Sequence, residues 1–292
     1  MASSRRGPQG LAALATLLRS HKTLVLSGAG ISTDSGIPDY RGSTRRPRQP
    51  MRYQTFVRDA RARQRYWARS VVGWPLTARA RPNPAHDALA RLERRANVRG
   101  VLTQNVDGLH QRSGSRHVLE LHGSLATVVC LSCGARSGRD RLQERLHALN
   151  PHFAAQAPGI APDGDVDIAE AWTQRFAVPA CRRCGGILKP DVVFFGENVP
   201  KDRVARGWAM VDAAEALLVV GSSLTVFSGY RFVRRARQRG VPIAIVNDGP
   251  TRGDDDATLR LHARLGEVLP RLADAREATR HAVHMAAWTG AS

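Results

Sequence analysis

All four cysteines of the chain stand in two Cys-x-x-Cys pairs, Cys130/Cys133 and Cys181/Cys184. Each pair is followed by glycine, Gly134 in one case and Gly185-Gly186 in the other, as in knuckles that turn N–H groups toward thiolate sulfur. Four thiolates make a complete tetrahedral set for Zn2+, and a closed all-cysteine set is structural, not catalytic. The gap between the pairs exceeds the ~15–20 residues of a compact zinc ribbon, so an insertion separates them. Disulfides are the competing reading, disfavoured by two such pairs in a chain that shows no secretion signal.

A second block begins at Ser27-Gly28-Ala29-Gly30-Ile31-Ser32 and runs to Gly36-Ile37-Pro38-Asp39-Tyr40-Arg41-Gly42. It follows Thr23-Leu24-Val25-Leu26, which reads as a buried parallel strand. A glycine-rich turn after such a strand offers backbone N–H groups to a phosphate. The third glycine of the dinucleotide fingerprint is replaced by Thr33. The acidic residue due roughly 20 residues later is absent, since that stretch is Arg45-Arg46-Pro47-Arg48. The turn therefore suggests a nucleotide and argues against a standard dehydrogenase. Tight-turn packing accounts for Gly28 and Gly30 equally well.

These residues need a scaffold, and the apolar runs supply one. Gly100–Thr103, Val118–Leu121, Asp191–Phe195, Ala216–Val220 and Pro242–Val246 read as further strands. They end in Gln104-Asn105-Val106-Asp107, His122-Gly123, Gly196-Glu197, Gly221-Ser222-Ser223 and Asn247-Asp248-Gly249. Helical stretches lie between them: Asp87–Arg95, Gly229–Arg239 and a surface helix over Phe56–Arg69. Alternating strands and helices with polar strand ends predict an α/β fold, a doubly wound, Rossmann-like parallel sheet. Residues 10–43, 75–123 and 187–272 form this discontinuous domain. The arginine-rich helical segment 44–74 and the cysteine segment 124–186 are insertions that pack as a small second lobe, leaving a cleft. Residues 1–9 read as a flexible basic arm and 273–292 as a C-terminal tail.

The 292 residues carry a net charge of +19, and lysine occurs only at Lys22, Lys189 and Lys201. Such a balance favours acidic or phosphorylated ligands. Nucleic acid as main partner is disfavoured, because a simple binding module has no need of aligned polar strand ends. No apolar run approaches the ~18 residues of a membrane span, so a cytoplasmic protein without a membrane partner is expected.

Together these blocks resemble the sirtuins, NAD-dependent protein lysine deacylases. The resemblance rests on Gly28–Ser32, Gly36–Arg41, Thr103–Asp107, His122-Gly123, the cysteine pairs, Lys189–Glu197 and Gly221–Leu224, in the family's order. It implies NAD as co-substrate, one structural Zn2+ and acyl-lysine proteins as substrates. It implies that His122 is the general base, with Asn105 and Asp107 on the nicotinamide carboxamide and Gln104 near the ribose. Gly28, Ala29 and Gly30 then meet the diphosphate, with Asp34, Tyr40 and Arg41 nearby and Val106 within the same site. Gly221, Ser222, Ser223, Asn247, Asp248, Gly249 and Leu265 complete the NAD contacts. Gly196 and Glu197 flank an extended acyl-peptide, and Val193 and Phe194 line its acyl tunnel. Tyr66 and Arg69, spaced i, i+3 on one helix face, resemble the pair by which one sirtuin branch reads an acidic acyl group. The alternative activity is protein mono-ADP-ribosylation from the same NAD site. Arg65–Arg69, Gly73–Pro75, Pro82–His86 and Gly249–Arg252 resemble the sirtuin 4-like branch and its bacterial relatives.

Overall fold

The computed structural model describes residues 3–4, 8–40, 50–156 and 159–274. Among the described residues, seven parallel strands form the main sheet. They are β1 (Ser3–Ser4), β2 (Thr23–Ser27), β3 (Val98–Thr103), β4 (Val118–Glu120), β8 (Ala216–Val220), β9 (Ile243–Asn247) and β10 (Leu259–His262). Their order is β1-β10-β9-β8-β2-β3-β4. The chain winds outward from β2 through β3 to β4, then returns to the other side of β2 at β8. The crevice at the C-terminal ends of β2 and β8 is thus the topological switch point, where open α/β sheets hold ligands.

Strands β2 and β8 are buried at every position, because helices cover both faces of the sheet. Alternate residues serve different faces. Val25, Leu218, Val220, Ala244 and Val246 pack with Leu14 and Leu18 of α1 (Pro8–Ser20), with Leu89 and Leu92 of α4 (Pro84–Arg94), and with helical residues 265–274. Leu24, Leu26, Leu217, Val219, Ile243 and Ile245 pack with Val211 of α7 (Lys201–Asp212) and with Phe232, Val233 and Ala236 of α8 (Phe227–Gln238). A period-two sequence thereby fills two cores at once.

Three antiparallel strands form a second sheet in the order β6-β5-β7: β5 (Gly123–Cys130), β6 (Arg136–Gly138) and β7 (Leu188–Val192). A third core lies on it, built with α2 (Tyr53–Arg58), α3 (Ala60–Arg79) and α6 (Arg139–Leu149).

Several local expectations change. The apolar run at 191–195 is not a strand of the parallel sheet; β7 ends at Val192 and pairs antiparallel with β5. A short apolar run carries no sign of its partner, so periodicity could not separate the two sheets. The helix over 56–69 is not a surface helix. It is broken at Asp59, extended by ten residues to Arg79, and buries Tyr66, Trp67 and Ala68. Its arginines hide the apolar stripe by sheer number. Ser3–Ser4 pair with Leu259–Arg260, so this part of the N-terminal arm is sheet edge, and α1 begins at Pro8. Most of the tail expected at 273–292 lies outside the described residues. Among the described residues no helix is long and apolar enough to cross a membrane.

Candidate active site

The sheet's switch point opens into a cavity of about 610 Å³, a size that suits a small molecule or cofactor. One wall is the turn after β2. Its N–H groups at Gly28, Gly30 and Ile31 are bonded to Val220 O, Gly221 O and Gly28 O at 2.8–3.1 Å. A Cβ at Gly28 would stand 2.7 Å from Ser222 Cβ, and one at Gly30 would stand 2.9 Å from Gly221 Cα. Both glycines are therefore demanded by the packing of two strand-end turns against each other. The N–H of Ala29 donates to no acceptor among the described residues and is the one this turn can offer an anion. The phosphate role expected of the whole turn narrows to that group.

Opposite lies the end of β3. Asn105 Nδ2 donates to Gly28 O and Ser32 Oγ, each at 3.1 Å, which leaves its Oδ1 to accept. Asp107 accepts from Ser32 Oγ at 2.8 Å and from Leu109 N at 2.9 Å. Burial raises its carboxyl above the usual range, against the pull of these bonds. Gln104 Nε2 donates to Ser222 Oγ at 2.8 Å and so ties β3 to β8.

His122 follows β4. Its Nδ1–H donates to the Gln104 carbonyl at 2.9 Å, which fixes the tautomer and leaves the Nε2 lone pair facing Ser228 Oγ at 2.8 Å. Burial, with the positive charges of Arg203 and Arg231, pushes its pKa down to about 4 despite the Gln104 bond. At neutral pH it is a neutral imidazole whose unprotonated Nε2, on the cavity wall, accepts from Ser228 Oγ. Ser228 is brought there by α8, which approaches closely because residue 229 is glycine: a Cβ would lie 2.3 Å from Gln104 Oε1. Sequence reasoning missed Ser228; only its place one residue before that glycine marks it.

The third side is the segment after β7. Val193, Phe194, Phe195, Gly196 and Glu197 line the cavity. Lys189 is buried and holds this turn, with Nζ 3.0 Å from a Glu197 carboxylate oxygen and 2.5 Å from Val192 O. Burial lowers its pKa, and Glu197 opposes that shift. Met51, Pro162 and Asp163, none singled out in the sequence, also line the cavity.

Of the residues expected here, Gly28, Ala29, Gly30, Tyr40, Gln104–Asp107, His122, Gly221–Ser223 and Asn247–Gly249 all reach the wall. Asp34 does not; it lies 3.9 Å from Arg264 on the outer side. Leu265 sits behind Gly221, where a Cβ would meet its Cδ1 at 2.9 Å. Arg41 lies outside the described residues. Tyr66 and Arg69 do not line the cavity either. Tyr66 is buried among Phe56, Trp67 and Phe194, with ring centroids 5.3–5.4 Å away. Arg69 is held by Asp165 at 3.0 Å. The pair shares a helix face, as its spacing required, but Tyr66 is packed inside the third core and Arg69 is tied to Asp165.

The four cysteine sulfurs lie within 4.8 Å of one another. Sγ–Sγ distances of 3.5 Å (Cys130–Cys184) and 3.8 Å (Cys133–Cys181) match the ~3.8 Å edge of a tetrahedron with Zn–S of ~2.3 Å and far exceed a disulfide bond. The two knuckles are built alike: Gly134 N bonds Cys130 O, and Gly185 N bonds Cys181 O, with both glycines at positive φ. The donor set fits Zn2+. It is remote in kind from the cavity, which none of the four lines.

The chain matches the Sir2 family model over residues 28–228. It is 53% identical over 256 residues to the mitochondrial NAD-dependent protein lipoamidase sirtuin-4 of Bos taurus, covering 86% of this chain and 81% of that protein. It is 54% identical over 266 residues to NAD-dependent protein deacetylase 1 of Mycobacterium avium (strain 104), covering 89% and 94%. A solved structure of a Sir2 protein with a p53 peptide and NAD+ superposes with a TM-score of 0.74 at 30% identity, covering 92% of this chain and 99% of that one.

Proposed function

Since the chain belongs to the Sir2 family, we propose that it is an NAD-dependent protein lysine deacylase whose reaction runs in the cavity at the sheet's switch point. The carrying observation is His122: a neutral imidazole, its tautomer set by the Gln104 carbonyl, presenting Nε2 to a hydroxyl inside that cavity. NAD, when bound, would supply the ribose carbon that exchanges nicotinamide for the acyl-lysine carbonyl oxygen, and the ribose hydroxyl on which the acyl group ends. His122 Nε2 accepts a proton from a ribose hydroxyl placed where it now meets Ser228 Oγ. Asn105 Oδ1 and the Asp107 carboxyl hold the carboxamide, and Ser32 fixes both through its hydroxyl. Ala29 N–H and the turn Gly221–Ser223 meet the phosphates. Asn247, Asp248 and Gly249 bind toward the adenosine end. The acyl-peptide lies between Gly196-Glu197 and the segment after Ser223, with Val193 and Phe194 along the acyl-lysine.

Zn2+ on Cys130, Cys133, Cys181 and Cys184 is structural and holds the small sheet. The small sheet with α2, α3 and α6 acts as one lobe and the parallel sheet as the other. A cytoplasmic site of action belongs to the same reading, supported by four reduced cysteines arranged for metal. Where the acyl group is concerned, the engagement of Arg69 by Asp165 and the packing of Tyr66 away from the cavity favour neutral chains over acidic ones.

Mass spectrometry of products from NAD and a mixed acyl-peptide library tests the reading. O-acyl-ADP-ribose with loss of acyl from lysine is the expected outcome. ADP-ribose attached to protein without acyl transfer would replace deacylation by ADP-ribosyl transfer. His122→Ala should end deacylation while the melting transition persists; continued turnover would refute the assigned base.

A further inference from the structure

Two exposed aromatic rings border the mouth of the cavity: Phe195, 41% exposed, and Phe227, 47% exposed. Gly196-Glu197 continue the wall on one side and Thr225-Val226 on the other. The Phe227 ring carries two guanidinium groups, Arg231 at 5.3 Å and Arg252 at 5.9 Å from its centroid. Arg252 also stacks 4.5 Å over Tyr230 and donates to Thr225 O at 3.4 Å. Stacking orders a guanidinium without cancelling its charge, and leaves N–H edges for a carboxylate.

Three carboxylates around this rim are engaged elsewhere. Arg237 and the Tyr230 hydroxyl take Asp256, Arg260 takes Asp254, and Lys189 takes Glu197. Among the ion pairs of the described residues, none joins Asp248 or Asp255, on the adjoining loops, to Arg231 or Arg252. Among the described residues, Arg231 Nε is buried without a hydrogen-bond partner. The rim thus holds two fixed positive charges beside a greasy ring, next to an acidic residue already neutralised.

We infer that the protein selects acyl-lysine sites flanked by aspartate or glutamate, whose carboxylates dock on Arg231 and Arg252. The inference rests on the deacylase reading above and names its substrate class. A peptide crossing the mouth in extended form advances about 3.3 Å per residue with side chains alternating, so residues one or two places from the acyl-lysine reach these guanidiniums. The chain's net charge of +19 adds long-range attraction for acidic proteins.

Three acyl-lysine peptides, identical except for acidic, neutral or basic residues on both sides of the acyl-lysine, test it. Wild-type kcat/KM should be about three- to tenfold higher for the acidic than the neutral peptide at low ionic strength, with the gap closing as salt rises. Arg252→Glu should invert the order of acidic and basic peptides, and Arg231→Gln should shrink the acidic-to-neutral ratio. A wild-type ratio of one, or an order unchanged by Arg252→Glu, would overturn the inference while leaving deacylation standing. Failure on all three peptides would overturn the deacylase reading itself, and this inference with it.

Discussion

Gly123 follows His122 directly and holds φ at 84°. An alanine Cβ there would lie 1.9 Å from the Asp191 carbonyl oxygen of β7 and 2.7 Å from Arg203 Nη1. The arginine can move; the carbonyl belongs to a paired strand and cannot. Two costs follow for Gly123→Ala. The left-handed backbone costs roughly 1–2 kcal/mol for any residue with a Cβ. Forcing β5 from β7 adds about 1–3 kcal/mol, as other overpacking does. Gly240→Ala separates them, because Gly240 has φ 67° and nothing within 4 Å of its Cβ position. It carries the first cost alone, and the gain from a stiffer unfolded chain is common to both. Urea unfolding at neutral pH should therefore place Gly123→Ala about 1–3 kcal/mol below Gly240→Ala. The same substitution reaches the chemistry, since His122 O accepts the Val193 N–H at 2.8 Å. Turnover by Gly123→Ala should fall even where the protein is fully folded. Equal stability of the two variants would mean the β5–β7 contact yields freely, and the argument that it fixes His122 would fail.

Metal removal should be severe: a structural zinc site contributes roughly 10–16 kcal/mol of apparent binding energy, so chelation or Cys133→Ser should lower the melting temperature sharply. An unchanged melt after metal stripping, checked by elemental analysis, would refute the site. Acid should destabilise the fold well above the carboxylate range. His86, His110 and His122 are held neutral by burial, with pKa values pushed from 6.5 to about 4, 3 and 4. The unfolded chain binds those protons first, so stability is complete above 6.5 and is lost as pH falls toward 4, by up to about 1.4 kcal/mol per group per unit. Asp107 and Glu120, whose carboxyls burial raises, act in the opposite sense. Denaturant melts of wild type and His86→Gln across that range should show the shallower pH slope in the variant. Acyl selectivity follows from Tyr66 and Arg69, neither of which lines the cavity: acetyl-lysine peptides should exceed succinyl-lysine peptides in kcat/KM, and Arg69→Met should leave that order unchanged. Succinyl preferred by wild type would reverse this.

Much of the site was legible because its parts lie at strand ends, and strand ends are written locally. Thr23–Leu26 and Ala216–Val220 announce themselves as apolar, β-branched runs, and each is followed within two residues by a glycine, Gly28 or Gly221, that lets the two turns touch. The cysteine spacing likewise marks four candidate metal donors, which the fold gathers within 4.8 Å of one another. Helical residues were harder: Phe56–Arg69 looked solvated because arginine dominates it, while its buried stripe depended on a sheet 60 residues away.

What the sequence determined by itself was the chemistry on offer: four thiolates, a nucleotide-type turn, polar strand ends and a histidine after β4. Tertiary structure decided which atoms remain available. It tied the N–H groups of Gly28 and Gly30 into the β8 turn and left Ala29. It set the tautomer of His122 through a carbonyl 18 residues away. It replaced the parallel strand expected at 191–195 by one at 188–192 in the antiparallel sheet, and it turned Tyr66 and Arg69 into a core and toward Asp165 instead of the cavity. Residue types and spacings fix what a group can do. Only packing fixes what each donor, acceptor and charge has already been matched with, because those partners come from distant parts of the chain.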